Sequence, residues 1–122
     1  MLREGLGISR VILRVGRTDI RKGIDGLAAI IRLEYGLDPL EEGTLFLFCG
    51  HQRDRIKGLL YEGDGFLLLT KRLSNGVFQW PNNSNEAMEL SREEFDRLMG
   101  GFNIVSSIRS FKKVNQSSES GQ

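Results

Sequence analysis

Residues 53–81 read RDRIKGLLYEGDGFLLLTKRLSNGVFQWP, in which two dipeptides suited to tight turns separate three stretches of strand length. Asp64-Gly65 and Asn75-Gly76 favour type I′ hairpin turns, because both central residues of such a turn need a positive φ. With these dipeptides at the turn centres, the stretch is predicted to form a three-strand antiparallel meander. A turn at Gly63-Asp64 is the alternative, and we expect that slip to move a strand's side chains to the opposite face.

Side chains alternate between the two faces of a sheet, so the two turns assign each residue of the meander to a face. One face is predicted to be apolar and consists of Ile56, Gly58, Leu60, Leu67, Leu69, Leu73, Phe78 and Trp80. The other is apolar at one end and basic at the other, and consists of Arg53, Arg55, Lys57, Leu59, Tyr61, Thr70, Arg72, Ser74 and Gln79. The meander is therefore expected to have a core side and an open cationic side.

Length and composition indicate one soluble globular domain. The chain has 122 residues, of which 39% are hydrophobic and 27% charged, and no apolar run approaches the roughly 20 residues that span a bilayer. We expect a cytoplasmic protein with one domain over residues 1–109 and a disordered tail over 110–122, where lysine, serine, glutamine and glycine predominate. One cysteine and one histidine predict neither a disulfide nor a zinc site, and no cofactor is expected.

The chain before the meander predicts a strand, a helix and a second strand. Residues 8–15 are rich in β-branched side chains, and Gly16 should end that strand. Apolar spacing predicts a helix from Thr18 or Asp19 to Gly36, although Gly23 and Gly26 are poor helix formers. Either the helix begins late, near Ile24, or its first turn lies close against another backbone. We favour the close approach. The apolar run 44–49 predicts a central strand covered on both faces.

A capping box predicts a second helix after the meander, because Ser91 is followed three residues later by Glu94. Phe102–Ile108 contains enough apolar residues to pack once more. The predicted fold class is therefore α+β: an antiparallel meander sheet of four to five strands, with two to three helices packed on one face.

Several segments resemble, in order and spacing, one family of mobile-element proteins. They are Thr18–Leu27, Leu45–Phe48, Arg53–Lys57, Glu62–Phe66, Lys71–Leu73 and Trp80-Pro81. The family is that of the short TnpB-type accessory proteins, products of the second open reading frame in bacterial insertion sequences of the sixty-six family. The resemblance covers roughly residues 8–100. It implies a protein that is encoded beside a separate DDE-type transposase and needed for efficient transposition, with no chemistry firmly assigned to it.

The basic end of the meander is the first candidate site. Arg53, Arg55 and Lys57 recur at a period of two, and Arg72 is expected opposite Lys57 on the neighbouring strand. Phosphate groups would relieve the repulsion among these cations. The alternative is a solvated face that Asp54 and Glu62 partly neutralise. Beside the basic residues, Leu59 and Tyr61 could stack on exposed bases, but an aromatic side chain on a strand more commonly packs against other side chains.

Arg21 and Lys22 form a second candidate site at the predicted helix start. Cations are disfavoured at the positive end of a helix dipole. An anion bound there would be stabilised both by the helix dipole and by the two cationic side chains. Pairing with Asp19 or Asp25 is the simpler alternative. The candidate nucleic-acid-binding residues are thus Arg53, Arg55, Lys57, Arg72, Arg21 and Lys22.

Catalysis is not expected. Asp19 and Asp25 could bind a nuclease metal, but a two-metal site needs further convergent carboxylates, and Asp64 is assigned to a turn. Cys49 and His51 lack an orienting third group, so they are interpreted as a core residue and a loop residue.

The expected function is that of a non-enzymatic accessory factor in transposition that contacts DNA, either at the element's ends or non-specifically. The alternative is a protein adaptor, in which the uncovered sheet face or edge strand and the acidic helix over residues 91–99 bind the transposase or another accessory protein of the element. No membrane partner is expected.

Overall fold

The computed structural model describes residues 7–101, which form one five-stranded sheet and two helices. In chain order the elements are β1 (Arg10–Arg17), α1 (Ile24–Tyr35), β2 (Thr44–Cys49), β3 (Arg55–Tyr61), β4 (Phe66–Arg72), β5 (Ala87–Leu90) and α2 (Arg92–Met99). The strand order is β4-β3-β2-β1-β5. The α+β class is confirmed, but the sheet is mixed, because β1 and β2 are parallel and the other neighbouring strands antiparallel.

The parallel pair at the centre is a β1-α1-β2 unit. Parallel neighbours cannot be joined by a tight turn, and α1 supplies the crossover that they need. All six residues of β2 are buried, and β2 is the third of five strands, so the predicted central strand is confirmed. Carboxyl ends of parallel strands lie at the same edge of a sheet, so the segments that follow Arg17 and Cys49 come together there. Thr18 N–H donates to the Cys49 carbonyl at 2.8 Å.

The β3-β4 hairpin turns one residue earlier than predicted. Tyr61 pairs with Phe66, and Glu62 N–H donates to the Gly65 carbonyl at 2.9 Å, so the turn centres on Gly63-Asp64. Gly63 has φ +99° and Asp64 does not have a positive φ, which is the pattern of a type II′ turn. The expected change of face was wrong: moving a two-residue turn by one position shifts the pairing by two residues, which preserves each side chain's face.

The third strand of the predicted meander is not formed. After β4 the chain turns at Gly76 (φ +78°) and crosses the end of β3 as an irregular segment, where Phe78 N–H donates to the Arg53 carbonyl at 2.8 Å. Trp80 Nε1 donates to the Arg14 carbonyl at 2.8 Å. These bonds to loop and strand backbone replace a strand ladder. Phe78 and Trp80 nevertheless join the predicted core side.

Both faces of the sheet are covered, which corrects the prediction that the helices share one face. On one side α1 packs on a cluster that includes Ile12, Phe46, Phe48 and Leu59. On the other side Phe95 and Leu98 of α2, with Phe78 and Trp80, pack on a second cluster that includes Leu13, Leu47 and Leu60. The sheet alternates apolar side chains toward both sides, so each face needs its own cover.

Helix α1 begins at Ile24, not at Thr18, and Gly23 is its N-cap, without a side-chain capping bond. A Cβ at Gly23 would meet nothing within 4 Å, and one at Gly26 would meet the side chain of Lys22. The close backbone approach that we favoured was therefore wrong, and the late start was right. The predicted end at Gly36 is confirmed, with the left-handed conformation (φ +65°) of a helix C-cap.

The C-terminal part contains the predicted capping box and an unpredicted strand. Ser91 Oγ accepts from Glu94 N–H, and Glu94 Oε1 accepts from Ser91 N–H. Strand β5 was missed because its four residues are too short for a clear alternation. The predicted packing of Phe102–Ile108 and the tail over 110–122 lie outside the described residues.

Candidate nucleic-acid interface

The basic residues of the candidate site gather at one end of the sheet. The loops after β1 and β2 meet there, and because β3 runs antiparallel to β2, its first residue, Arg55, lies at the same end. Strand β4 brings its last residue, Arg72, beside Arg55. Topology thus unites cations from distant positions in the sequence. We call this set the basic end; it consists of Arg21, Lys22, Arg53, Arg55, Lys57 and Arg72.

Arg55 and Arg72 are direct cross-strand partners. The sequence placed Lys57 opposite Arg72, but with the earlier turn Lys57 faces Thr70. Asp54 lies between the two arginines: its carboxylate oxygens are 3.3 Å from Arg55 Nε and 3.8 Å from Arg72 Nε. The neutralising role considered for Asp54 is therefore present in the structure, and one carboxylate serves two guanidinium groups.

Lys57 and Arg53 differ in how they are held. Lys57 lies on β3 on the same face as Arg55, as predicted. Arg53 precedes the strand in a turn, with φ +63° and its N–H bonded to the Gly50 carbonyl at 3.2 Å, so it does not continue the alternation. Within residues 7–101 neither side chain forms an ion pair, and both residues are partly exposed.

Arg21 lies across a cleft from the strands. The cleft has a volume of about 260 Å³ and is lined by Thr18, Asp19, Ile20, Arg21, Gly50, His51, Gln52 and Arg55. The Arg21 guanidinium pairs with Asp19 at 2.9 Å, as the simpler alternative predicted, and this contact lowers the pKa of Asp19 to about 2. The Arg21 side chain is 89% exposed, so Asp19 does not remove it from solvent. Lys22 is exposed and precedes Gly23, the N-cap of α1, which makes no side-chain capping bond.

Two basic residues of β1, Arg10 and Arg14, have structural partners. Arg10 forms ion pairs with Glu41 and Glu89, each at 3.0 Å. Arg14 is largely buried and pairs with Glu34 at 2.9 Å while donating to the Arg17 carbonyl. These contacts fasten β1 to its neighbours, so Arg10 and Arg14 do not belong to the basic end.

The apolar part of the same face is packed. Leu59 is fully buried under α1, which excludes stacking on a base. The Tyr61 ring meets Phe66 edge to face at 5.1 Å, and its hydroxyl donates to the Gly63 carbonyl at 2.9 Å. Packing is therefore the role that the structure gives to both side chains.

The candidate catalytic groups are not assembled into a site. Cys49 is fully buried, as predicted, and burial raises the pKa of its thiol to about 11, so the reactive thiolate is disfavoured. His51 is exposed in a turn, as predicted. Across residues 7–101, no group of three histidine, cysteine or acidic side chains could hold a metal ion. Nor does this part of the chain contain a helix long and apolar enough to cross a membrane.

Three further residues lie beside the basic end and were not predicted as site residues. Arg17 is exposed at the last position of β1, and His51 and Gln52 line the cleft beside Arg55. Recognising β1 and β2 as a parallel pair would have found them, because that pairing brings the loops after both strands together. The sequence shows no signal of that pairing beyond the intervening helix.

The fold and this surface define a class: a small α+β protein with two apolar cores and a segregated basic end. The family model described as IS66 Orf2 like protein matches residues 9–109. Two uncharacterized proteins of Sinorhizobium fredii (strain NBRC 101917 / NGR234) are similar to the chain. The protein y4hO is 36% identical over 101 residues, covering 83% of this chain and 86% of the relative. The protein y4jC is 33% identical over 92 residues, covering 75% and 78%.

No solved structure shows significant similarity to the chain. The chain belongs to the IS66 Orf2-like family, the TnpB-type proteins of IS66 insertion sequences. The resemblance found in the sequence motifs is thereby confirmed, and with it an accessory role associated with an insertion sequence.

Proposed function

We propose that this protein is a non-enzymatic accessory factor that binds DNA during transposition of its insertion sequence, through the basic end of the sheet. The observation that carries the proposal is the convergence of Arg21, Arg55 and Arg72 from three separate segments onto one end of one sheet. Lysine and arginine contacts to phosphate supply most of the affinity of a protein for DNA that is independent of sequence.

The charge balance at this end supports an anionic partner. Asp54 is shared by two arginines and Asp19 is paired with Arg21, while Lys57, Lys22 and Arg53 form no ion pair within the described chain. Like charges this close repel one another at an energetic cost that a polyanion would offset.

The test is a titration of the full chain with duplex DNA from the element's terminal repeat and with a scrambled duplex of the same length. Lys22→Gln/Lys57→Gln removes two charges that form no ion pair within residues 7–101 and leaves the ion pairs of the basic end intact. Arg32→Gln removes one positive charge away from this surface and is the control, because Arg32 is exposed near the opposite end of α1. We expect the wild type and the control to bind and the double variant to lose most of its affinity.

The two duplexes separate recognition from general binding. A preference for the terminal repeat would make the protein a recognition factor for the element's ends, and equal affinity would make it a non-specific DNA-binding factor. No binding at low salt, or equal binding by the double variant, would contradict a DNA interface at the basic end.

A protein adaptor is the second candidate, and a different surface favours it. An apolar groove of about 280 Å³ lies between β4 and α2, lined by Leu45, Leu47, Ile56, Gly58, Leu69, Thr70, Lys71, Phe95 and Met99. An amphipathic helix of the transposase is the partner chemistry that suits such a groove. The exposed side of α2 carries Arg92, Glu93, Asp96 and Arg97 and is mixed in charge, not acidic as predicted. Affinity for the transposase that is insensitive to salt would favour this function.

A further inference from the structure

The two edges of the sheet differ in how they are protected. Edge strand β5 has four residues, and its exposed Glu89 is held by two hydrogen bonds from Arg10 at 3.0 and 3.1 Å. Edge strand β4 has seven residues, contains no proline, and carries charge only at its last two positions, Lys71 and Arg72. Natural proteins block their edges with short strands, charges, proline or bulges. By these criteria β4 is the unprotected edge.

Hydrogen-bonding groups of β4 point outward at alternate residues. Glu62 N–H bonds to the Gly65 carbonyl, and Leu73 N–H bonds to the Asp54 carbonyl at 2.8 Å. In an antiparallel ladder these two bonds fix the phase: odd-numbered residues of β4 face β3, and even-numbered ones face away. The outward set is Phe66, Leu68, Thr70 and Arg72, and no other described segment bonds to their backbone. Within residues 7–101, a row of backbone donors and acceptors is therefore left without partners.

The side chains along this edge are apolar on both faces. Phe66 and Leu68 lie at the margin of the core under α1, and Leu67 and Leu69 lie at the margin of the core under α2. All four are only half-buried. A strand added at β4 would bury apolar surface on both sides while it completed the ladder.

Charge along the edge indicates which strand would be added. The turn before β4 carries the exposed acids Glu62 and Asp64, and the strand ends with the exposed bases Lys71 and Arg72. When two copies of β4 lie antiparallel about a two-fold axis, Lys71 and Arg72 of each copy lie toward the acidic turn of the other. Self-complementarity of this kind is what a two-fold interface requires.

We propose that two copies of this chain pair through β4, antiparallel and centred on Leu69, into one continuous ten-stranded sheet. This register places Phe66 opposite Arg72 and Leu68 opposite Thr70, and so uses all four outward residues of each copy. Leu69 meets its own copy in a pair without hydrogen bonds, where side chains approach most closely. The pairing does not depend on DNA binding, and it leaves the two basic ends at opposite ends of the interface.

The first test is the mass of the full chain by light scattering, for the wild type, Thr70→Pro and Thr70→Val. Proline removes a backbone N–H that faces solvent in the monomer, a position where edge strands tolerate it, so the monomer should keep its fold by circular dichroism. Valine keeps both the N–H and the β-branched shape. We expect dimers for the wild type and Thr70→Val, and a folded monomer for Thr70→Pro.

Charge exchange tests the register. Asp64→Lys and Lys71→Glu each place like charges at both ends of the interface and should weaken the dimer, whereas Asp64→Lys/Lys71→Glu restores opposite charges and should recover it. In addition, Leu69→Cys should form an intermolecular disulfide, because Cα atoms in such a pair are about 4.5 Å apart. Gln79→Cys, exposed and away from the edge, is the control. The buried native Cys49 should not interfere.

Three results would overturn the proposal. They are a wild-type chain that stays monomeric at every concentration tested, a dimer that persists in Thr70→Pro, and a charge-exchanged double variant weaker than both single variants. Loss of transposase binding by Thr70→Pro with a monomeric wild type would assign the edge to that protein instead.

Discussion

At the scale of single residues, the basic end is a set of six cations, three of which pair with two aspartates. Asp54 bridges Arg55 and Arg72, and Asp19 pairs with Arg21 through two contacts at 2.9 and 3.1 Å. Exposed ion pairs contribute little to stability, so these aspartates act chiefly on the position and availability of the arginines. DNA phosphates must compete with them.

Substitution of Asp19 should strengthen DNA binding. The pKa of Asp19 is lowered to about 2 from an ordinary value of 3.8, so the group is ionised at any pH used for binding, and pH cannot release Arg21. Asp19→Asn removes the charge and frees Arg21 for phosphate. We expect a severalfold gain in affinity in a low-salt titration. If Asp19 only maintained the local structure, its substitution would lower the affinity instead.

The same variant separates binding from nuclease chemistry. A nuclease that used Asp19 as a metal ligand would lose activity in Asp19→Asn, whereas a binding protein would gain affinity. Weaker DNA binding by Asp19→Asn, or metal-dependent cleavage by the wild type that this variant abolishes, would contradict the role given to Asp19 here.

At the scale of elements, β1 carries the irregularity that positions the loop before α1. Its pairing with β2 shifts register between Leu13 and Arg17, and Gly16 has φ +90°. A Cβ at Gly16 would lie 3.0 Å from the Ser84 carbonyl oxygen, while the Gly16 N–H donates to the Pro81 carbonyl at 2.8 Å. The strand and the segment before β5 therefore meet without room for a side chain.

Gly16→Ala should destabilise the protein by about 1–3 kcal/mol, because the backbone conformation is strained for alanine and the segment at Ser84 must move. Chemical denaturation followed by circular dichroism measures this loss. Gly65→Ala is the control, since its Cβ would meet nothing within 4 Å and its φ is not positive. Equal stability of the two variants would show that the close approach at Gly16 does not affect the free energy of unfolding.

The elements also show what the sequence could predict. The apolar run of β2 and the capping box of α2 are local signals, and both were found at their positions. The start of α1 was misjudged because its apolar spacing extends upstream through Ile20, which is buried but not helical. Segment 77–80 alternates like a strand, yet its hydrogen bonds go to Arg53 and Arg14, partners that no local pattern reveals.

At the scale of the whole molecule, the net charge of +1 conceals an uneven distribution of charge, with basic side chains concentrated at one end of the sheet. The meander's alternation correctly predicted that Arg55, Lys57 and Arg72 share one face of the sheet. The sequence could not predict that Arg21 lies at the same end of the sheet as these residues, because that position depends on the parallel pairing of β1 with β2 and on the crossover through α1. Long-range pairing of this kind leaves no periodic trace in the sequence.

The salt dependence of DNA affinity tests the central claim most directly. Logarithmic affinity should fall linearly with logarithmic salt concentration for the wild type, at a slope set by the number of phosphate contacts. Lys57→Gln should reduce that slope by about 1, and Arg32→Gln should leave it unchanged. A slope near zero, or equal slopes for Lys57→Gln and the wild type, would contradict DNA binding through the basic end.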